Sequence, residues 1–223
     1  MIVKEFKIEE INLNYFVGIN QVEFDSDYFF QTQEVVDEKE TLDLFFKTIS
    51  EIQSRYTNSF IQFFKEMYIL NQDHIFTACY YLQKAFFNHK NISNKKEIEL
   101  LLYLSTNRQI IKSIQALGIE YSDLRKGNLL YCIISPTDNL HKLNNEILKV
   151  LKAKENLMTL NNVSLEKINL IQEFHEISEE QITCILKSYG NDSKCGASHL
   201  TSKFSALFDL ICEKMVLLSV ENI

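Results

Sequence analysis

Proline and glycine are scarce in this sequence, which has one proline, five glycines and no tryptophan among 223 residues. So few turn and breaker residues argue against long flexible linkers and against a low-complexity chain. Hydrophobic residues make up 46% and charged residues 24% of the chain, which is ordinary for a globular protein. The length suits one large domain with enough residues to bury a substantial core.

Long hydrophobic runs and clustered metal ligands are also missing. The apolar stretches are too short to cross a bilayer, and the N-terminal MIVKEFKIEE carries acidic residues, unlike a secretory signal. The five cysteines lack C-x-x-C spacing and the five histidines are dispersed, so neither a disulfide framework nor a zinc site is indicated. We therefore expect a cytoplasmic protein with no metal, cofactor or membrane contact.

Negative charge dominates, with a formal net charge of −7, and this argues against a general nucleic-acid coat protein. The segment 84–126 departs from this balance because it holds eight basic and four acidic residues. Such a basic region suits a restricted contact with a polyanion, and it equally describes an ordinary lysine-rich loop.

The periodic segments predict an α/β (α+β) fold over residues 1–223, a single domain with a small mixed or antiparallel sheet, several flanking helices and a long C-terminal helix. Strands are expected at 1–8, 67–70, 119–121 and 129–134, and 157–160 is a further candidate. The strand at 129–134 should be central because its apolar run is continuous. Helix starts are expected at Leu42, Asp73, Glu97, Asp138, Ser164, Ser178 and Thr201, and 60–64 is a possible continuation of the first helix.

The segment 100–119 contains the clearest candidate for a binding site. Thr106 and Gln109 have the spacing of a capping box, and Gly118 lies where a left-handed residue would end the following helix. Arg108 then falls in the first turn, where a cation opposes the helix dipole but adds to a donor-rich end suited to phosphate. The alternative is a surface helix whose arginine is merely solvated.

The last predicted helix is apolar on two sides, so one side can pack in the core while the other meets a partner. One side carries residues such as Phe204, Leu207 and Ile211, and the opposite side carries Ala206, Leu210 and Leu217. The alternative is a helix covered on both sides by its own chain. The candidate partner-binding residues are Phe204, Phe208, Leu210, Ile211, Met215, Leu217 and Leu218.

Three stretches resemble a known family. These are 67–88, a predicted strand followed at once by a helix; 97–119, where L-S-T-N-R-Q-I is similar to the family element S-G-x-R-Q-I; and the apolar C-terminal helix ending E-K-M-V-L-L-S-V. The chain thereby resembles the small kinase-binding subunit of the KEOPS complex, the TPRKB-like family. The resemblance is best over 67–223, with insertion-like segments at about 25–64 and 157–198.

The resemblance implies a non-catalytic subunit that binds the atypical kinase/ATPase of KEOPS directly through its C-terminal helix. It implies indirect association with the other KEOPS subunits and a contact with the 3′ CCA end of tRNA, in support of threonylcarbamoyladenosine modification. The matching RNA-contact positions are Lys95, Lys96, Ser105, Arg108, Gln109 and Ile110.

Thr106 departs from the family pattern, which usually has glycine at this position. If the glycine serves close approach of an RNA backbone, threonine weakens that contact. If the position is only a helix N-cap, threonine serves as well.

Two other functions stay open at this point. An enzyme could use Cys195 as a nucleophile with His199 nearby, although no further activating group is visible. A self-associating structural protein could use the same apolar side of the C-terminal helix.

Overall fold

The computed structural model describes residues 1–26, 37–189 and 197–220, with side chains from residue 200 onward in the last range. Contacts divide the chain into two compact units, which we describe separately. The sheet unit comprises residues 1–65 and 118–158, and the helical unit comprises residues 66–117 and those from 159 onward. The expectation that residues 1–223 form one domain with two insertions stays a prediction.

The described strands are β1 Ile2–Ile8, β2 Leu13–Glu23, β3 Phe60–Phe64, β4 Asn128–Ser135 and β5 Lys154–Glu155. The described helices are α1 Glu38–Gln53, α2 Gln72–Phe87, α3 Lys96–Ser105, α4 Ile110–Leu117, α5 Tyr121–Lys126, α6 Leu140–Leu151, α7 Leu165–Phe174, α8 Glu179–Ser188 and α9 Ala197–Val220. A short 3-10 helix, Glu9–Ile11, connects β1 to β2.

The sheet unit is built on an antiparallel sheet with strand order β1-β2-β4-β3, and β5 pairs with β2. Together with the flanking helices and the long α9, this confirms the predicted α/β fold class and shows that the sheet is antiparallel. Helices α1, α5 and α6 pack on one face of the sheet. There the ring centroid of Phe63 lies 5.1 Å from that of Phe45 and 4.8 Å from that of Tyr131.

β4 is buried along almost its entire length, as its continuous apolar run predicted for a central strand. Two other expectations for the sheet unit are wrong. Residues 60–64 do not continue α1, because the chain turns at Asn58 (φ 60°) and then enters β3. Residues 119–121 are not a strand, because Glu120 N–H donates to Asp123 Oδ2 at 3.0 Å at the start of α5.

The helical unit is held together largely by α9, which contacts α2, α3, α7 and α8. Ser164 and Ser178 begin α7 and α8 as predicted, because each hydroxyl accepts an N–H bond from the first turn. The α2 cap is Asn71 rather than Asp73, since Asn71 Oδ1 accepts the His74 N–H at 2.8 Å.

Three smaller expectations also fail. Residues 67–70 form a turn rather than a strand, and 157–160 contain no strand. Gly118 follows α4 without a positive φ, so the left-handed ending predicted there is wrong. Within the described ranges, no helix is both long enough and apolar enough to span a membrane.

Candidate functional site

The turn between α3 and α4 is the best-defined part of the candidate site, and its geometry differs from the prediction. Thr106 has φ 50° and ψ 30°, the left-handed conformation. Its N–H donates to Tyr103 O, and the Asn107 N–H donates to Leu102 O, both at 3.1 Å. These bonds end α3. The capping box of Thr106 and Gln109 is therefore wrong, because Thr106 closes the preceding helix rather than opening the next one.

Asn107 supplies the local bond that the prediction assigned to Thr106. Its Oδ1 accepts the Gln109 N–H at 2.8 Å, just before α4 begins at Ile110. The left-handed backbone also gives a physical reason for a glycine in the family pattern, since glycine adopts positive φ without a steric penalty. Neither reason considered from the sequence, close RNA approach or an N-cap, is needed to account for it.

Two buried histidines lie behind this turn. The His74 ring accepts the Leu70 N–H at Nδ1 (3.2 Å) and bonds through Nε2 to Leu104 O (3.1 Å). Nε2 must therefore carry the proton, and the ring is neutral. Burial lowers the pKa of His74 to about 4, against the opposing hydrogen bond to Leu104.

The second histidine, His175, directly follows α7 and bonds through Nδ1 to Thr106 Oγ1 at 3.0 Å. Its centroid lies 5.6 Å from that of His74. Burial lowers the pKa of His175 well below its ordinary value, and its electrostatic interactions with His74 and Lys214 act in the same direction. Both rings are thus neutral at neutral pH.

Ser105, predicted as an RNA contact, is 6% exposed and bonds inward. Its hydroxyl lies 3.2 Å from Leu102 O and 2.7 Å from the hydroxyl of Ser113 on α4. The Ser113 hydroxyl also donates to Asn107 O at 3.3 Å. The serine pair therefore ties α4 to the end of α3, and in this structure the Ser105 hydroxyl does not face solvent.

Arg108, Gln109 and Ile110 are exposed where α4 begins. Ile111 and Ile114 continue this surface, with Ile111 71% exposed. We call Arg108, Gln109, Ile110, Ile111 and Ile114 the α4 surface. It combines one guanidinium, one amide and three aliphatic side chains, a composition able to meet both a phosphate and a flat apolar group.

Lys95 and Lys96 lie at the opposite end of α3 from the α4 surface. The ends of a helix of this length are separated by about 15 Å along its axis. Lys95 is exposed, whereas Lys96 is half-buried with Nζ 5.5 Å from the centroid of Phe86. Burial lowers the pKa of Lys96, with Glu97 opposing.

The loop before Lys95 is shaped by the buried carboxylate of Glu99. It accepts the Ser93 N–H at 2.7 Å and the Ile92 N–H at 3.0 Å. Burial raises the pKa of Glu99 while these two bonds oppose the shift. Glu99 was not singled out from the sequence, and no local pattern marks it as a loop organiser.

The C-terminal helix α9 does not carry the two apolar stripes that were predicted. Ala206 and Leu210, assigned to the outer stripe, are buried with the core side, and only Leu217 of that stripe is exposed (51%). Four candidate partner contacts are likewise buried within the chain: Leu210, Ile211, Met215 and Leu218. The remaining candidates are Leu217 and the partly buried Phe204 and Phe208.

The exposed apolar surface of α9 lies in its last two turns. Val216, Leu217 and Val220 are each 39% exposed or more. We call these three residues the α9 surface. Val220 and Ser219 also line a cavity of about 160 Å³ with Tyr81, Lys84, Ala85, Asn88 and Lys90, between the ends of α2 and α9.

The structure does not test the proposed cysteine site. Cys195 lies outside the described residues, and the side chain of His199 is not described. Cys79 and Cys132 are buried, and burial raises the pKa of the half-buried Cys212 to about 11. Within the described ranges, no three His, Cys, Asp or Glu side chains are grouped to hold a metal ion.

A comparison with protein-family models matches residues 34–218 to the family described as "Kinase binding protein CGI-121". The match spans most of the chain, including every described candidate residue of both surfaces except Val220. A search of curated proteins finds no match.

Proposed function

The chain belongs to the kinase binding protein CGI-121 family, and from that premise we propose that it is the kinase-binding subunit of a KEOPS complex. We propose that it is not an enzyme and that it supports threonylcarbamoyladenosine modification by contacting tRNA. It would bind the atypical kinase/ATPase directly, meet the other KEOPS subunits through that kinase, and work in the cytoplasm, or also the nucleus of a eukaryote, without membrane contact.

The kinase assignment is supported by the exposed α9 surface, because the chain belongs to a family described as kinase-binding. Three exposed aliphatic side chains in two adjacent helical turns form an apolar helix face of the kind that docks into a hydrophobic groove of a partner. The buried remainder of α9 serves as the rigid support. We therefore assign kinase docking to Val216, Leu217 and Val220 rather than to the whole apolar side of the helix.

Leu217→Arg is expected to weaken kinase binding about 100-fold or more, because an arginine cannot enter an apolar pocket without losing its hydration. The measurement is co-purification with the kinase, followed by titration of the purified pair. Leu165→Arg on α7 is the matched control, since Leu165 is 53% exposed on another helix of the same unit.

Wild-type affinity in both Leu217→Arg and Val216→Arg would refute this docking surface. Light scattering on the isolated protein tests the alternative, self-association of the chain. A wild-type dimer that Leu217→Arg converts to a monomer would assign the α9 surface to a second copy of the chain instead.

The tRNA assignment rests on the α4 surface. An unpaired 3′ end presents phosphates and bases, and stacking against planar or apolar side chains contributes about 1–3 kcal/mol per base. Arg108 supplies both a cation and a plane, and the three isoleucines supply apolar contacts. Lys95, about 15 Å away along α3, suits a second phosphate of an extended strand.

Arg108→Glu is expected to weaken binding of intact tRNA about tenfold or more at low salt, because it replaces a phosphate-binding cation by an anion. tRNA trimmed of its CCA end should bind the variant and the wild type alike. Arg125→Glu on α5 changes the net charge equally at another exposed arginine and is the control. Equal loss for intact and trimmed tRNA would exclude the CCA contact.

A further inference from the structure

Thr106 has an unusual backbone conformation, and it lies two residues before Arg108 of the α4 surface. Among the described non-glycine residues with positive φ, it is the one with a β-branched side chain. Branching at Cβ makes the left-handed region costly, and such strain persists only where surrounding contacts determine the backbone. Strained residues of this kind are concentrated at sites of binding and switching.

The contacts that determine the turn come from three helices. The Thr106 hydroxyl is bonded to His175 at the end of α7, and His74 on α2 holds the Leu104 carbonyl group. From α4, the Ser113 hydroxyl donates to Asn107 O. Thr106 and His175 are both largely withdrawn from solvent, so water is a poor substitute for their mutual bond.

The same contacts fix the backbone on both sides of Arg108. Before it, the N–H, Oδ1 and carbonyl groups of Asn107 are all bonded within the turn. After it, the Gln109 N–H is held by Asn107 and the Gln109 carbonyl oxygen accepts the Ser113 N–H at 3.0 Å. The backbone that carries the Arg108 guanidinium is therefore ordered before any ligand binds, which lowers the entropic cost of binding.

We propose that Thr106 and His175 are a positioning pair that directs Arg108 toward the phosphate of an unpaired RNA end. The inference rests on the proposed tRNA contact and adds two residues that do not touch the ligand. Their role requires that the threonine hydroxyl be bonded to the imidazole. It predicts that hydroxyl-bearing residues at position 106 support binding and that isosteric apolar ones do not.

Thr106→Val tests the pair because valine keeps the β-branched shape and removes only the hydroxyl. We expect binding of intact tRNA to weaken about five- to tenfold, whereas Thr106→Ser, which keeps the hydroxyl, should stay within about twofold of the wild type. Kinase affinity of both variants should equal that of the wild type. In an Arg108→Gln background, adding Thr106→Val should cause no further loss, since the pair acts through Arg108.

Amide hydrogen exchange in the free protein provides a readout independent of RNA. Exchange at Asn107 and Gln109 should accelerate in Thr106→Val and not in Thr106→Ser. If Thr106→Val does not fold, Thr106→Ala replaces it, because alanine lacks both the hydroxyl and the branching at Cβ that makes the left-handed region costly. The alanine variant should show the same acceleration and the same loss of tRNA binding.

The outcomes separate the inference from the function on which it rests. If Arg108→Gln loses affinity but the hydroxyl-free variants bind tRNA like the wild type, the positioning pair is wrong and the tRNA contact stands. An equal loss from Thr106→Val with and without Arg108 would also overturn the pair. If Arg108→Gln itself binds like the wild type, or the wild type does not bind tRNA, the proposed contact fails with it.

Discussion

Replacing Leu210 by arginine is expected to unfold the helical unit, with a loss of about 4 kcal/mol or more in the free energy of unfolding. Leu210 is 6% exposed near the middle of α9, the helix that contacts α2, α3, α7 and α8. An arginine there loses its hydration, leaves an unpaired charge among aliphatic side chains and exceeds the volume of leucine. The measurement is urea unfolding followed by circular dichroism, or soluble yield if the variant does not fold.

Leu217→Arg is the control for this experiment, because it makes the same substitution two turns later on the same helix at an exposed position. Its unfolding midpoint should stay close to that of the wild type, as is usual for surface substitutions. A folded Leu210→Arg protein with a wild-type midpoint would show that α9 does not pack as described. The pair of variants also prevents loss of folding from being read as loss of kinase binding.

The wrong assignment of Leu210 shows where sequence periodicity stops being informative. Residues 203–218 are apolar over most of the helix circumference, so the pattern predicts a helix but not which arc faces the core. Neighbouring helices decide that arc, and their arrangement depends on contacts between residues far apart in the sequence. Leu217 is 51% exposed although it lies two turns after the buried Leu210, on nearly the same side of the helix.

Local signals identified most helices correctly. Ser164 and Ser178 each satisfy a free N–H of the first turn, a bond that needs only three adjacent residues. Short apolar segments were harder, since 60–64 and 119–121 can form either structure until their partners are known. Residues 60–64 become β3 because β4 offers an open edge, with Ile61 opposite Ile133.

The candidate site could also be predicted only in part, because local signals mark the motif but not its distant partners. The motif 105–110 predicts a helix start with Arg108 in the first turn, and the structure places Arg108 on the surface just before α4 begins at Ile110. The role of Thr106 was missed, because its partner His175 lies 69 residues later in the sequence. The burial of Ser105 was missed likewise, since only the three-dimensional fold turns its hydroxyl toward Ser113.

Acidification is expected to destabilise the helical unit through its two buried histidines. The folded pKa of His74 is about 4, below the ordinary value of 6.5. Above pH 6.5 the ring is neutral in both states and the full stability is present. As the pH falls below that value, the unfolded chain takes up a proton that the folded protein refuses, so stability falls by about 1.4 kcal/mol per pH unit until pH 4.

The expected loss is about 2 kcal/mol between about pH 7.5 and pH 5 from His74 alone, and roughly 3 kcal/mol by pH 4. His175 adds to it, because its pKa is lowered in the same direction and a positive charge on one ring disfavours a second 5.6 Å away. The measurement is urea unfolding at several pH values, or hydrogen exchange in α3 if the two units unfold separately.

His74→Gln isolates this contribution, because glutamine can donate to the Leu104 carbonyl group but does not titrate. The variant should be less stable at neutral pH, since it leaves the Leu70 N–H without its acceptor, and should lose about 2 kcal/mol less than the wild type on going to about pH 5. Carboxyl groups with a lowered pKa, such as Glu155 and Glu179, are present in both proteins and cancel in the comparison. Parallel pH profiles for the two proteins would show that His74 is not buried as a neutral ring, and the account of the turn that rests on it would fail.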